Sequence, residues 1–97
     1  MVTRKELNTK RRQVSYRTFI SNGQKHYVVD TCRTLDHGNE SMVFACDEDG
    51  VIIDWLDLDC DCFIPDEAMK DRHEAMVSRW ICKLEDSRLL CKPEDNR

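Results

Sequence analysis

From Val14 to Phe63 the apolar residues tend to fall at every second position, and from Met69 to Leu84 they recur every third or fourth. The first period is that of a strand with two faces, the second that of an amphipathic helix. "VSYRTFI" and "KHYVVDTCRT" are rich in β-branched and aromatic residues and predict two strands. The "SNGQ" between them predicts a hairpin, with Asn22-Gly23 at the two positive-φ positions of a type I′ turn. "LDHGNE" reads as a loop, and "SMVFAC" and "VIIDWLDLDCDCF" as the next strands. "DEDG" joins those two, with Gly50 at the position of strained backbone.

The last of these strands changes phase. Val51, Ile53 and Trp55 share one parity, while Leu56, Leu58, Cys60 and Cys62 share the other. A straight strand cannot place both sets on one face. Either its first half is buried on both faces or a bulge near Trp55-Leu56 resets the register, and the bulge is preferred. On that reading Asp57, Asp59 and Asp61 point to water, and Leu56, Leu58, Cys60 and Cys62 point to the core.

"PDEAMKDRHEAMVSRWICKLED" predicts a long helix opened by Pro65 and Asp66. Its apolar stripe runs through Met69, His73, Met76, Val77, Trp80, Ile81 and Leu84, with Trp80 expected to anchor the core. "DSRLLCK" either continues this helix or forms a separate turn, and "PEDNR" reads as a frayed tail. The opening "TRKELNTKRRQ" is expected to form a short basic helix. The expectation for residues 1–97 is therefore a single α+β domain. It has a four-stranded antiparallel meander, a long C-terminal helix on one face and a short basic N-terminal helix.

Composition narrows the function classes. A chain of 97 residues, 40% hydrophobic, is long enough to bury one modest core without metal or disulfide. No apolar run approaches the ~20 residues of a membrane-spanning helix, so no membrane partner is expected. The basic start has no apolar segment behind it, so the chain is expected in a reducing cytoplasm, where its six cysteines stay free thiols. The net charge of −4 is unevenly spread: +6 over residues 1–25, −11 over 26–67 and +1 over 68–97. Either the segments pair within the fold or one of them meets a partner of opposite charge.

Each candidate chemistry has a bland counterpart. Cys32, Cys46, Cys60, Cys62, Cys82 and Cys91, with His26, His37 and His73, are possible metal ligands. The paired knuckles of structural zinc sites are missing, and strand alternation alone explains Cys-x-Cys, so neither metal nor other cofactor is expected. Cys32, Cys46 and Cys60 remain able to meet on adjacent strands. "DEDGVIID" resembles part of a calcium loop. Placing Gly50 at the loop glycine puts Ala45 and Leu56 at the first and last ligand positions, where neither can bind. His37 with Asp36, or His73 with Asp71 and Glu74, are conceivable acid–base pairs without a nucleophile or oxyanion element, so no enzyme is expected. Arg4, Lys5, Lys10, Arg11, Arg12 and Arg17 are candidates for phosphate contacts. Only Tyr16 and Phe19 lie nearby for stacking, which disfavours direct nucleic-acid binding. Asp47, Glu48, Asp49, Asp54, Asp57, Asp59 and Asp61 form the better candidate, an acidic row suited to a host protein with a basic surface. Its counterpart is protection of a sheet edge against aggregation.

"HGNESMVF" at 37–44, "DEDG", the Asp54-Trp55 pair, Glu67-Ala68 and His73 together resemble a pattern in small bacterial, phage and prophage proteins. In that pattern His-Gly-x-Glu-Thr-Met-Val-Phe precedes an acidic turn, an Asp-Trp strand and a helix with Glu-Ala and a later His. Ser41 stands where Thr is usual, and the resemblance spans about residues 32–77. It implies phage or prophage company and a bacterial host cell, and it carries no activity. The expectation is a non-catalytic protein-interaction module, an acidic inhibitor of a host nucleic-acid-binding defence protein. The alternative is a nucleic-acid- or zinc-associated accessory protein using the basic N-terminus or the cysteines.

Overall fold

The computed structural model describes residues 1–35 and 38–89. Five strands follow in chain order: β1 (Thr3–Leu7), β2 (Tyr16–Ser21), β3 (His26–Thr34), β4 (Gly38–Cys46) and β5 (Ile52–Phe63). They form one antiparallel sheet in the order β1-β2-β3-β4-β5. A single 3-10 turn (Asp66–Ala68) leads into the helix α1 (Met69–Leu89). The architecture is thus α+β with one C-terminal helix, and the meander has five strands rather than four.

The extra strand replaces the expected basic helix. Thr3–Leu7 has too little apolar surface to hold a helix against the body, whereas pairing with Arg17–Ser21 satisfies its backbone groups at once. Alternation then carries Arg4 and Glu6 to the helix side, where Arg4 makes two hydrogen bonds to Glu74 at 2.8 and 2.6 Å. The β2–β3 turn also departs from expectation. Only Gly23 takes a positive φ, 94°, and Asn22 N–H donates to the Lys25 carbonyl, so the turn is centred on Gly23-Gln24. Asn22 acts from outside it, its Oδ1 accepting from the Gln24 and Lys25 amides. The segment read as a loop at 35–40 is shorter, because Gly38, Asn39 and Glu40 already pair with β3.

One face of the sheet receives α1. Ile20, Val29 and Val43 meet Met76, Val77 and Leu84 in the buried core, with Val2, Tyr27, Trp80 and Ile81 packed at its margin. Every residue of the predicted helix stripe is buried or half-buried. Trp80 is a margin residue rather than the central anchor: its indole packs edge-on against Tyr27, 5.0 Å between centroids, and its Nε1–H reaches Asp59.

His73 is the titratable residue of the stripe, and it lies fully inside. It bridges Thr18 and Thr31, with Nε2 2.8 Å from Thr18 Oγ1 and Nδ1 2.7 Å from Thr31 Oγ1. Thr18 donates to Glu6 Oε1 at 2.7 Å, and Thr31 is 2.7 Å from Ser41 Oγ. Since an ionised Glu6 only accepts, proton order follows along the chain: His73 Nε2–H donates to Thr18, Thr31 donates to Nδ1, and Ser41 donates to Thr31. This run of hydrogen bonds joins β1, β2, α1, β3 and β4.

The opposite face is covered in two places, by the β4–β5 turn and by the β1–β2 connection that carries Arg11. The β4–β5 turn bends back so that a Cβ on Gly50 (φ 87°) would lie 3.4 Å from Leu7 Cδ1 and 3.5 Å from Phe19 Cδ1. Val28, Phe44 and Cys46 are buried on this face. Toward β1 and β2, Arg11 and Arg17 converge on buried Asp30 at 2.8 and 2.9 Å. Burial alone would raise the Asp30 carboxyl, but the two guanidiniums outweigh it and hold the group below its usual range.

Candidate functional site

β5 is the outer strand at the end of the sheet, 12 residues long and paired on one side only. Its register confirms the bulge and reverses the faces. Val43 lies opposite Asp59 and Ala45 opposite Asp54, so Phe44 alone faces residues 55–58. Beyond the bulge, Asp59 and Asp61 turn toward α1. Asp59 Oδ2 accepts from Arg79 and from the Trp80 indole, both at 2.9 Å, and Asp61 Oδ2 accepts from Arg72 at 2.9 Å. Burial pushes the Asp59 carboxyl up, yet these donors and the Cys60 amide prevail and lower it. Leu58, Cys60 and Cys62 consequently lie exposed on the opposite face instead of in the core, and Leu56 is exposed within the bulge. The cause lies in α1, which packs over β2, β3 and β4 and meets Asp59 and Asp61 of β5 with Arg72, Arg79 and Trp80. Aspartates satisfy Arg72, Arg79 and the indole N–H there; leucines would leave them without acceptors.

The remaining acidic residues keep an outward disposition. Asp47 Oδ1 accepts from the Asp49 and Val51 amides and shapes the turn, and Asp54 Oδ1 accepts from the Leu56 amide within the bulge. Glu48, Asp49, Asp54 and Asp57 are exposed. Among them stand exposed apolar side chains: Ile53 (67%), Trp55 (67%), Leu56 (71%) and Leu58 (49%). Trp55 keeps one ring face on Phe44, with centroids 5.3 Å apart. Beside this strip an open groove of about 650 Å³ is lined by Lys25, His26, Cys46, Asp47, Asp49 and Ile53 among others.

The basic candidates are dispersed. Arg4 is held by Glu6 and Glu74, and Arg11 and Arg17 by Asp30, while Lys5, Lys10 and Arg12 are exposed. Among the candidate acid–base groups, His73 is sealed in its threonine cage, its basicity lowered by burial. His37 and Asp36 lie outside the described residues, as does Cys91. His26 rests against Ser21 Oγ through Nδ1 at 2.7 Å. Cys46 is buried, its thiol pushed up to about 11 by burial and by Asp47.

One grouping was not visible in the sequence. Cys60 Sγ lies 3.9 Å from Cys62 Sγ, and Cys62 Sγ 3.6 Å from Glu40 Oε2. The three ligand atoms fall within 4.8 Å of one another. Glu40 escaped notice because only the β4–β5 register, Glu40↔Cys62, brings it there. The signal that existed was the Cys-x-Cys parity itself, read for the wrong face.

The chain is thus an α+β protein built on a five-stranded antiparallel meander, one outer strand of which carries an acidic and apolar surface and a cysteine pair. No family model matches it, and neither a curated protein nor a solved structure does. No helix among the described residues is long and apolar enough to cross a membrane.

Proposed function

We propose that this protein is a non-catalytic protein-interaction module that binds its partner through β5 and the β4–β5 turn. The supporting observation is the strip Ile53, Trp55, Leu56 and Leu58, exposed along an unpaired edge and flanked by Asp47, Glu48, Asp49, Asp54 and Asp57. Apolar side chains ringed by charges of one sign fit a partner whose own contact surface is apolar with a basic rim. The aromatic Trp55, half-supported by Phe44, is the natural anchor. Asp59 and Asp61 leave the expected acidic row, since their charges are matched by Arg79 and Arg72. In the phage setting that the sequence resemblance implies, the partner is a host nucleic-acid-binding defence protein and this chain its inhibitor in the bacterial cytoplasm. Nucleic-acid binding by the N-terminus has less support, because Arg4, Arg11 and Arg17 are already engaged in ion pairs.

The test is capture from host lysate with four baits. The wild-type chain is compared with Trp55→Ser/Leu56→Ser and with Asp54→Asn/Asp57→Asn. Lys5→Ala, at the far edge of the sheet, serves as control. A protein retained by the wild type and the control, reduced by both β5 variants and released by raised salt agrees with the proposal. Equal capture by all four baits, or loss with Lys5→Ala alone, overturns it.

A further inference from the structure

We propose that Cys60, Cys62 and Glu40 form a binding site for a thiophilic divalent cation, zinc in the first instance, on the sheet face turned away from α1. The inference is independent of the protein-binding role above. Its basis is geometric. With Zn–S near 2.3 Å and Zn–O near 2.0 Å, a tetrahedral ion sets its ligands about 3.8 Å apart for S···S and about 3.5 Å apart for S···O. The corresponding separations here are 3.9 Å for Cys60 Sγ···Cys62 Sγ and 3.6 Å for Cys62 Sγ···Glu40 Oε2. An ion at the centre of this triangle would meet all three atoms with small side-chain adjustments. Three protein ligands leave one tetrahedral position for water.

The backbone holds this arrangement from both sides. Cys60 and Cys62 are two apart on one strand and share a face, and Glu40 sits opposite Cys62 on β4. The alternate residues Asp59 and Asp61 are tied to Arg79, Trp80 and Arg72 of α1, which fixes the rotation of β5 and so directs the thiols outward. The run Asp59-Cys60-Asp61-Cys62 is then read as two interleaved pairs, one anchoring the strand to the helix and one offering ligands. The local field suits a cation. Glu40 brings a carboxylate oxygen within 3.6 Å of Cys62 Sγ, a charge that a bound cation would offset. Binding takes both thiols to thiolates: one divalent ion enters, two protons leave, and affinity rises with pH.

Titration of the reduced full chain with Co(II), then displacement by Zn(II), tests the site. The expected result is one ion per chain, a thiolate-to-cobalt charge-transfer band, release of about two protons per ion and a rise in melting temperature on loading. Cys60→Ser and Cys62→Ser each abolish the band. Glu40→Gln, which removes a ligand without opening space, is expected to weaken binding by at least about tenfold, the smaller loss seen when even an outer-shell partner is removed. Cys82→Ser/Cys91→Ser leaves the band and the stoichiometry unchanged. All three sites of substitution on β4 and β5 are at the surface or half-buried, so the melting temperature of each metal-free variant should match the wild type and rule out misfolding. Absence of the band in the wild type, its persistence in Cys60→Ser/Cys62→Ser, or its loss in Cys82→Ser/Cys91→Ser overturns the assignment.

Discussion

His73 sits where both ring nitrogens have hydroxyl partners and no water is needed. The order of protons runs from Ser41 through Thr31, the ring and Thr18 to Glu6, and it holds for the neutral ring only. A second ring proton at Nδ1 would face a Thr31 hydroxyl that already donates toward it, forcing that hydroxyl to turn and break with Ser41. Burial lowers the basicity of the ring in the same direction. In the unfolded chain the ring titrates near pH 6.5. The unfolded state therefore binds more protons than the native state as pH falls below that value, and stability drops. Denaturant unfolding of the wild type between pH 7.5 and 5 should show this loss beginning at about pH 6.5. His73→Gln, less stable throughout, should show a flatter profile over the same range. Parallel profiles would mean that the ring is charged in the fold.

At the scale of the element, β5 illustrates how a strand's faces are chosen. Alternation makes the aspartates one set and the cysteines another, and both assignments satisfy the period of two. The helix decides between them with three donors, Arg72, Arg79 and the Trp80 indole, that only acceptors can satisfy. Neutralising the aspartates should therefore be unequal in effect. Asp57→Asn, in the bulge and exposed, is expected to change stability by less than ~0.5 kcal/mol. Asp59→Asn keeps an acceptor for the indole but loses the charge facing Arg79, and is expected to cost about 0.5–1.5 kcal/mol. Chemical denaturation of the two single variants separates them. Equal, negligible effects would show that the aspartate–helix contacts do not hold the strand. The bulge also bends the strand at the one place where a long apolar edge would invite another strand, and the charges of Asp54 and Asp57 lie beside it.

The whole molecule is organised by charge as well as by its core. The basic first segment and the acidic middle do pair within the fold, through Arg11 and Arg17 with Asp30, while α1 contributes Arg72 and Arg79 to β5 and accepts Arg4 at Glu74. Asp30 is the buried member, and its arginines are partly exposed, with 29% and 22% of their side chains accessible. Asp30→Asn removes the charge that both face and leaves an amide against two donors, at an expected cost of about 1–3 kcal/mol. The lowered carboxyls of Asp30, Asp59, Glu6 and Glu74 contribute stability that is complete above the unfolded carboxylate range and is lost as pH falls through their folded values. Acid unfolding should thus continue below about pH 4, after the His73 step. In Asp30→Asn the loss below that pH should be shallower than in the wild type. Identical slopes would place the acid-sensitive charge elsewhere.

The sequence by itself determined the antiparallel strands from Tyr16 to Phe63, the helix with its stripe from Met69 to Leu84, the acidic turn at Gly50 and the bulge near Trp55-Leu56. These follow from local rules: the period of side-chain direction, the steric freedom of glycine and the impossibility of burying two parities on one face. Tertiary structure alone decided the rest. Thr3–Leu7 is polar enough for either state, and the free backbone edge of β2 made it a strand. The face on which Cys60 and Cys62 emerge was settled by where α1 placed its arginines. Glu40 became their neighbour through a register set across 22 residues of chain. Those choices are made by hydrogen-bond donors and acceptors on elements far apart in sequence, and the period of a strand carries no information about which side will need them.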